Sequence, residues 1–457
     1  MATMLRRSRY TIVTEHVGSV ASLYSTITGK HAILDVEEHP RYRVLLTDEL
    51  LNAEEWDGVT IEALVREGFV VPADYDELSA LKTLRARALE ADYGVRLAIL
   101  PSLECNFSCT YCFQGPAPQA RVMAEETQDN LIEFADGLLR SGSKGPLVVT
   151  WFGGEPLLQL ACIRSLSKRL LALAQRHRVQ GFHEMLTNGY YLNLLSANLV
   201  HELGLSSITV SLDGPRVVHD ERRPLKDGNG TFDTIISNID SLSKYFSGIL
   251  IRINVDRSNY WHVPDLLAEL KARGILARCK FYTAAVDSKT GTCKADSCVT
   301  FNPLEVGRAD VHIYREAVRL GVADQLDNRY PTPWGLACSA QIKGAFAVDP
   351  EGNLYKCLND VAIQSRAVYN VNHKRPLNLR RAGSLQHSGP FGRQCCEACR
   401  FLPLCNAGCP SANIDGKTPG HLCTPLKYSL QERLGLYVME YRRAVRPTPE
   451  EGRQREP

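Results

Sequence analysis

The stretch LECNFSCTYCFQG, residues 103–115, places Cys105, Cys109 and Cys112 at C-x3-C-x2-C spacing directly after the apolar run VRLAILPSL (95–103). A redox pair or a structural zinc site favours C-x2-C pairs in even number. Three thiolates this close together, with no fourth nearby, suit a four-iron cluster that leaves one iron open to a ligand.

Working outward, the run before the cysteines is the first of six. PLVVTWFGG (146–154), GFHEMLTNG (181–189), SSITVSLDG (206–214), GILIRINVD (248–256) and RCKFYTAAV (278–286) follow, each β-rich and closed by Gly, Asn, Asp, Pro or a loop. Between them lie amphipathic helical patterns such as ETQDNLIEFADGLLRSG and IRSLSKRLLALAQRH. Strands alternating with helices make βαβ units and a parallel sheet. Six units are too few for a closed eight-unit barrel, so the pattern predicts an α/β fold with an open, partial (β/α)6 barrel over residues 96–325. Such folds bind ligands at the carboxyl ends of their strands.

Residues 1–95 read as a small α+β unit. SVASLYSTITGKHAILDV gives two strands around a TGK turn, helices are expected near 43–53 and 60–67, FVVP is a strand, and DELSALKTLRARALEADYG is a linking helix. Past residue 326 the periodicity fades and Gly, Pro and Cys become dense, up to a helix in PLKYSLQERLGLYVMEYRRAV. A stretch of this kind, 326–440, needs a source of stability other than a core, and metal clusters supply one. Residues 441–457 are expected to be a disordered tail.

The bulk numbers narrow the function classes. A chain of 457 residues holds two to three domains, and its net charge of +2 gives no reason to expect a nucleic-acid partner. There is no signal peptide and no apolar run of membrane-spanning length, which predicts a cytoplasmic protein with no membrane partner. In a reducing compartment the fifteen cysteines argue for metal ligation over disulfides. Ten of them fall into two groups; Cys162 and Cys279 sit in apolar contexts and read as buried structural residues. The second group, Cys338, Cys357, Cys396, Cys399, Cys405, Cys409 and Cys423, is spaced C-x13-G-x4-C, then C-x2-C-x5-C-x3-C, then a last Cys.

Together these motifs resemble the radical S-adenosylmethionine (SAM) enzymes that carry a C-terminal SPASM domain. WFGGEP (151–156) is similar to the family's segment after the second strand, which implies that Gly153, Gly154 and Glu155 hold the SAM amino group through backbone, glycine letting the chain approach closely. VSLDGPRVVHDERRPLKDGNGTF (210–232) resembles the fourth-strand segment and implies Ser211, Asp213 and Arg223 near the SAM carboxylate and ribose. TNGYYL and RINVD also fit, and Tyr111 is a candidate to pack near the adenine or simply a core aromatic. The resemblance implies three [4Fe-4S] clusters: one on Cys105, Cys109 and Cys112 that binds SAM, an inner auxiliary one on Cys338, Cys357 and Cys409, and an outer one on Cys396, Cys399, Cys405 and Cys423. The inner cluster's fourth ligand is Cys293, Cys298, Cys395 or a substrate thiolate.

The implied activity is reductive cleavage of SAM to a 5′-deoxyadenosyl radical, hydrogen abstraction from a ribosomally made precursor peptide, and an oxidative thioether or C–C crosslink. An electron donor such as flavodoxin or ferredoxin is implied as well. An alternative is formylglycine formation in a sulfatase; that branch carries an aspartate directly after the inner-cluster cysteine, whereas Leu358 follows Cys357 here and Asp360 is the nearest base candidate. A further alternative is a non-catalytic zinc protein that binds a peptide. The 1–95 unit is a candidate leader-peptide binder by strand addition, or a structural cap. The basic segment NHKRPLNLRRAG (372–383) can meet an acidic peptide or stand as a solvated loop.

Overall fold

The six apolar runs form six parallel strands in chain order. In the computed structural model, which describes residues 4–16, 20–47, 49–112, 114, 121–286, 300–327, 329–333, 337–361, 363–406, 408–416 and 423–445, the N-terminal strands are β1 (Met4–Arg7), β2 (Thr11–His16), β3 (Val20–Ser25), β4 (His31–Asp35), β5 (Leu51–Asn52) and β6 (Val70–Pro72). The barrel strands are β7 (Val95–Ile99), β8 (Leu147–Trp151), β9 (Gly181–Thr187), β10 (Leu205–Ser211), β11 (Ile249–Val255) and β12 (Lys280–Ala285). Helices such as Glu125–Arg140 and Leu160–His177 connect them and bury one apolar face against the sheet through Leu131, Leu139, Leu166 and Leu170. Both β8 and β11 are nearly continuous apolar runs because their two faces are covered. Cys162 and Cys279 belong to this core, as their contexts predict.

The sheet does not stop at β7. Strand β13 (Ala345–Val348) pairs in parallel with β7, Ala345 opposite Arg96 through Val348 opposite Ile99, and β14 (Asn353–Tyr355), β15 (Tyr369–Asn370) and β16 (Arg375–Pro376) continue it as an antiparallel meander. The order is β12-β11-β10-β9-β8-β7-β13-β14-β15-β16. Without β13 the edge of β7 would present unpaired N–H and C=O groups; the cysteine-rich region closes that edge and thereby hangs beside the first strand, next to the Cys105 loop.

Residues 4–72 form two small sheets, β2-β3-β4 and β5-β1-β6, around Leu5, Leu23, Leu34, Leu45, Leu51 and Phe69. The helix expected near 43–53 is instead two 3-10 turns, Pro40–Leu46 and Ala53–Glu55, flanking β5, which adds to β1 in antiparallel register. Sheet pairing of Leu51 won over local helical propensity. The unit docks on the C-terminal region: Ile12 and Tyr24 pack on Leu430 and Leu434, and the Tyr24 hydroxyl donates to the Pro331 carbonyl at 2.6 Å. The last helix, Leu426–Val445, lies along the helix Pro303–Arg319 and runs past residue 440, so residues 441–445 are helical where a disordered tail is expected; the packed face carries the helix on. Among the described residues no helix is long and apolar enough to cross a membrane.

Candidate active site

The carboxyl ends of the barrel strands surround a cavity of about 610 Å³. Cys105, Cys109 and Cys112 line it, on the loop that leaves β7. The loop is held from two sides: Ser108 and Thr110 donate backbone N–H bonds to Pro224 and Arg222 carbonyls at 2.9 and 3.0 Å, and Glu155 N donates to the Glu104 carbonyl at 2.8 Å. Burial pushes the Cys105 thiol up to about 12 and raises Cys109 too, so both stay protonated at neutral pH unless a bound cation displaces the proton.

Gly153 and Gly154 line the cavity opposite these thiols. A Cβ on Gly154 would lie 2.0 Å from the Glu104 carbonyl oxygen; one on Gly153, whose φ is +132°, would lie 2.3 Å from that of Ser102. Only glycine lets the two loops touch, which keeps the cysteine loop and the cavity floor in one piece. Ser211, Arg223 and Tyr111 also face the cavity.

Two of the predicted cofactor residues act from behind the wall. The Glu155 carboxylate, fully buried, turns away and accepts from Leu157 N at 3.0 Å, Asn188 N at 2.8 Å and the Thr187 hydroxyl at 2.8 Å, tying the end of β8 to that of β9. Burial lifts its pKa to about 7 against those hydrogen bonds. Asp213 is likewise fully buried. Burial pushes its carboxyl up, but Arg223 and Arg222 outweigh that and hold it below its usual value. It accepts from the Tyr111 hydroxyl and from Asn254 N and Nδ2, both at 3.1 Å. Tyr111 in turn accepts from Arg223, and the Arg222 guanidinium lies 4.9 Å from its ring centre. The hydroxyl is therefore committed to this network, and only the rest of the side chain is offered to the cavity.

Asp360 is not placed as a base. It is fully buried outside the cavity wall, held by Arg366 at 2.9 Å and by a forked Arg381 at 2.9–3.0 Å. Its neighbours Leu358 and Asn359 do line the cavity. Arg381, read as part of a basic loop, is thus taken up in an ion-pair cluster with Asp360 and Asp415, and Lys374 pairs with Glu133 at 2.8 Å.

The second set of cysteines separates into two neighbourhoods. Cys357 feels the charges of Cys409 and Cys338, while Cys405 feels those of Cys423 and Cys399, and Cys396 those of Cys395 and Cys405. Burial is the main cause in each case and pushes Cys357 to about 12. Cys395 is exposed and its charge is felt at Cys396. Cys293 and Cys298 lie outside the described residues.

Sequence reasoning named TNG and RINVD only as segments; the structure shows Thr187, Asn188, Arg252 and Asn254 of those segments in the wall, with Lys226 and Gln114. Their signal was position at a strand end, which does not say which way a side chain points.

The donor set fits an iron–sulfur cluster with SAM. The thiols share one cavity with a glycine cradle and polar wall groups, and the buried amide nitrogens Nδ2 of Asn106 and Nε2 of Gln114 find no acceptor among the described residues.

Residues 99–270 match the radical SAM superfamily. The chain carries a radical SAM domain. A similar curated relative is the serine-type anaerobic sulfatase-maturating enzyme of Klebsiella aerogenes, 26% identical over 343 residues that cover 70% of this chain and 80% of the relative. Among solved structures, native anSMEcpe with bound AdoMet and Kp18Cys peptide superimposes with a TM-score of 0.57 at 18% identity, covering 77% of this chain and 98% of that one. Streptococcus suis SuiB bound to precursor peptide SuiA gives 0.52 at 15% identity, covering 93% and 99%. At these identities the two structures speak for a shared fold. A radical SAM domain implies a [4Fe-4S] cluster and SAM.

Proposed function

We propose that this radical SAM enzyme is a peptide maturase that oxidises a ribosomally made precursor and joins two of its residues by a thioether or C–C bond. Cys105, Cys109 and Cys112 would hold the SAM-binding cluster, Cys338, Cys357 and Cys409 an inner auxiliary cluster, and Cys396, Cys399, Cys405 and Cys423 an outer one. When bound, the first cluster supplies the electron that splits SAM into methionine and a hydrogen-abstracting 5′-deoxyadenosyl radical. The chain's own residues contribute position and dryness. Gly153 and Gly154 bring the β8 loop against the cysteine loop, the Glu155 carboxylate fixes that loop's height against β9, and Arg223, Tyr111 and Asp213 make a rigid polar wall.

The observation that carries the reading is the wall at Leu358 and Asn359, which directly follow Cys357. A substrate in the cavity touches the loop of the inner cysteine group, so an electron leaving the substrate radical has an acceptor site at hand. The relatives support a peptide partner: one superimposed structure holds a Kp18Cys peptide and the other a precursor peptide. The unit at 4–72, with its small sheets, is our candidate for holding the leader segment, and a flavodoxin or ferredoxin is the expected reductant.

A second reading is formylglycine formation in a sulfatase, favoured by the similarity to the Klebsiella aerogenes enzyme. The commitment of Asp360 to Arg366 and Arg381, and Leu358 in place of an aspartate after Cys357, weigh against it. The test is anaerobic co-expression with the peptide encoded beside the gene, followed by fragmentation mass spectrometry and a hydrazide probe. Loss of a hydrogen pair with a fragmentation-silent span and no hydrazide adduct supports crosslinking. A serine residue oxidised to formylglycine also loses two hydrogens but takes the hydrazide, and that result on a sulfatase peptide would replace the first reading with the second.

A further inference from the structure

The N-terminal unit reaches into the auxiliary cysteine region with two buried polar side chains that neither its own core nor the proposed chemistry uses. Arg85, on the helix Glu77–Glu90, is 5% exposed. Its guanidinium donates to the Asn406 side chain, to the Ser388 carbonyl at 2.8 Å and to Gln341 Oε1 at 3.4 Å. Asn406 follows Cys405 in a left-handed conformation at φ +50°. Gln341 Oε1 accepts from Cys338 N at 3.2 Å, and its Nε2 donates to Ser388 O at 2.7 Å. One guanidinium therefore ties together the loop that presents Cys338 and the turn between Cys405 and Cys409. The fit is close: a Cβ on Gly389 would meet the guanidinium at 3.3 Å.

The second side chain is Tyr10. It is fully buried against Leu81 and Leu402, with Cys396 packed on the same cluster and Cys399 near enough for its charge to be felt at the hydroxyl. Among the described residues that hydroxyl has no hydrogen-bond partner. A buried hydroxyl without a partner costs free energy unless something accepts from it. The acceptors whose charge reaches it are Glu77, Asp76 and Cys399. Both carboxylates are already engaged, Glu77 by Arg6, Ser8 and Arg9 N and Asp76 by Leu78 N and Ser79, which leaves the sulfur.

We propose that Arg85 and Tyr10 are positioning residues for the auxiliary clusters, Arg85 clamping the loops of both cysteine groups and Tyr10 donating an O–H···S hydrogen bond to the outer one. This rests on reading the two cysteine groups as cluster sites. Four-iron clusters with their thiolates carry net negative charge, and their potentials follow the charge and hydrogen bonds around the sulfurs. A buried guanidinium and a hydroxyl donor both favour the reduced, more negative state. The N-terminal unit is then part of the wall of the auxiliary centres, whatever else it binds.

The test uses the full chain, reconstituted anaerobically with iron and sulfide: wild type, Tyr10→Phe, Arg85→Gln and Arg85→Lys, with iron counts and EPR-monitored redox titration as readouts. Tyr10→Phe keeps the ring and removes only the hydroxyl, so its iron count should stay at the wild-type value while one auxiliary signal moves to a more negative midpoint. Arg85→Gln should weaken auxiliary iron binding by about 10-fold or more while the SAM-responsive signal persists, and Arg85→Lys should recover part of it. If wild type binds about twelve irons and all three variants match it in iron and in every midpoint, this inference is overturned and the cluster reading stands. If wild type binds only about four, the cluster reading is overturned and takes this inference with it. Should Arg85→Gln fail to fold, Tyr10→Phe and Arg85→Lys decide.

Discussion

Replacing Gly154 with alanine tests the geometry on which the proposed SAM site depends. The added methyl would stand 2.0 Å from the Glu104 carbonyl oxygen, 2.4 Å from its carbon and 2.6 Å from the Leu103 oxygen. All three are backbone atoms, so no side chain can swing aside. Contact below 3.0 Å is not tolerated, which forces the β8 loop and the cysteine loop apart by about 1 Å. That movement breaks the bonds from Gly154 N to Ser102 O at 3.3 Å and from Glu155 N to Glu104 O at 2.8 Å, a loss of about 2 kcal/mol at the usual net value of a hydrogen bond. A misplacement of about 1 Å near the chemistry costs about 100-fold in rate. We therefore expect Gly154→Ala to keep its barrel fold but to lose SAM affinity and to form 5′-deoxyadenosine about 100-fold more slowly, measured by equilibrium dialysis and by product chromatography. Gly137, on the helix Glu125–Arg140 with nothing within 4 Å of an added Cβ, is the control; alanine there should raise stability by about 0.5–1 kcal/mol. A Gly154→Ala enzyme with wild-type SAM affinity and turnover would refute the argument that close loop contact builds the site.

Other expectations follow from the same structure. Alanine at Cys105, Cys109 or Cys112 should abolish 5′-deoxyadenosine formation, whereas alanine at Cys399 should leave uncoupled SAM cleavage with product lost; equal loss in both would merge the two cysteine groups into one role. Asp360→Asn should behave as a stability variant, lowering the urea midpoint and the iron count together, and Arg381→Ala should copy it, because each leaves the other's charge buried; a variant with full iron and stability but no product would restore Asp360 as a base. Burial lowers the His183 pKa from 6.5 to about 4. The folded chain thus refuses a proton that the unfolded chain accepts, and stability contributed by this residue falls as pH drops from about 6.5 to 4, by about 3 kcal/mol in full. His183→Leu should flatten that part of the pH dependence in anaerobic urea melts, and an unchanged slope would show that other groups set it.

Much of the barrel was legible because strand and helix periodicities are local. VRLAI, LVVTW and ILIRINV are short, β-rich runs, and the cysteine and glycine motifs sit at strand ends in chain order. The grouping of Cys357 with Cys409 and Cys338 is what the resemblance implies, not something spacing alone gives. What could not be read is which way each strand-end residue turns. Glu155 is expected to meet SAM through its backbone and Asp213 to lie near it. What the sequence does not show is that both carboxylates brace the wall from behind, Glu155 on the N–H groups of Leu157 and Asn188 and Asp213 on Tyr111, Asn254 and, at 3.6 Å, the Arg222 guanidinium, because a buried carboxylate is more stable facing donors than facing a cavity. Asp360 was misread for the same reason: its partners Arg366 and Arg381 lie 6 and 21 residues away in sequence.

The sequence by itself determined the radical SAM barrel, the cysteine groups and the glycine turn, since each depends on residues close together in the chain. Only the tertiary structure decided that β13 closes the β7 edge, that Leu358 and Asn359 form the cavity wall, and that Tyr10 and Arg85 of the N-terminal unit enter the auxiliary cysteine region. Those are contacts across hundreds of residues, chosen by the need to pair a bare strand edge and to bury apolar surface and polar groups together, and no local pattern encodes them.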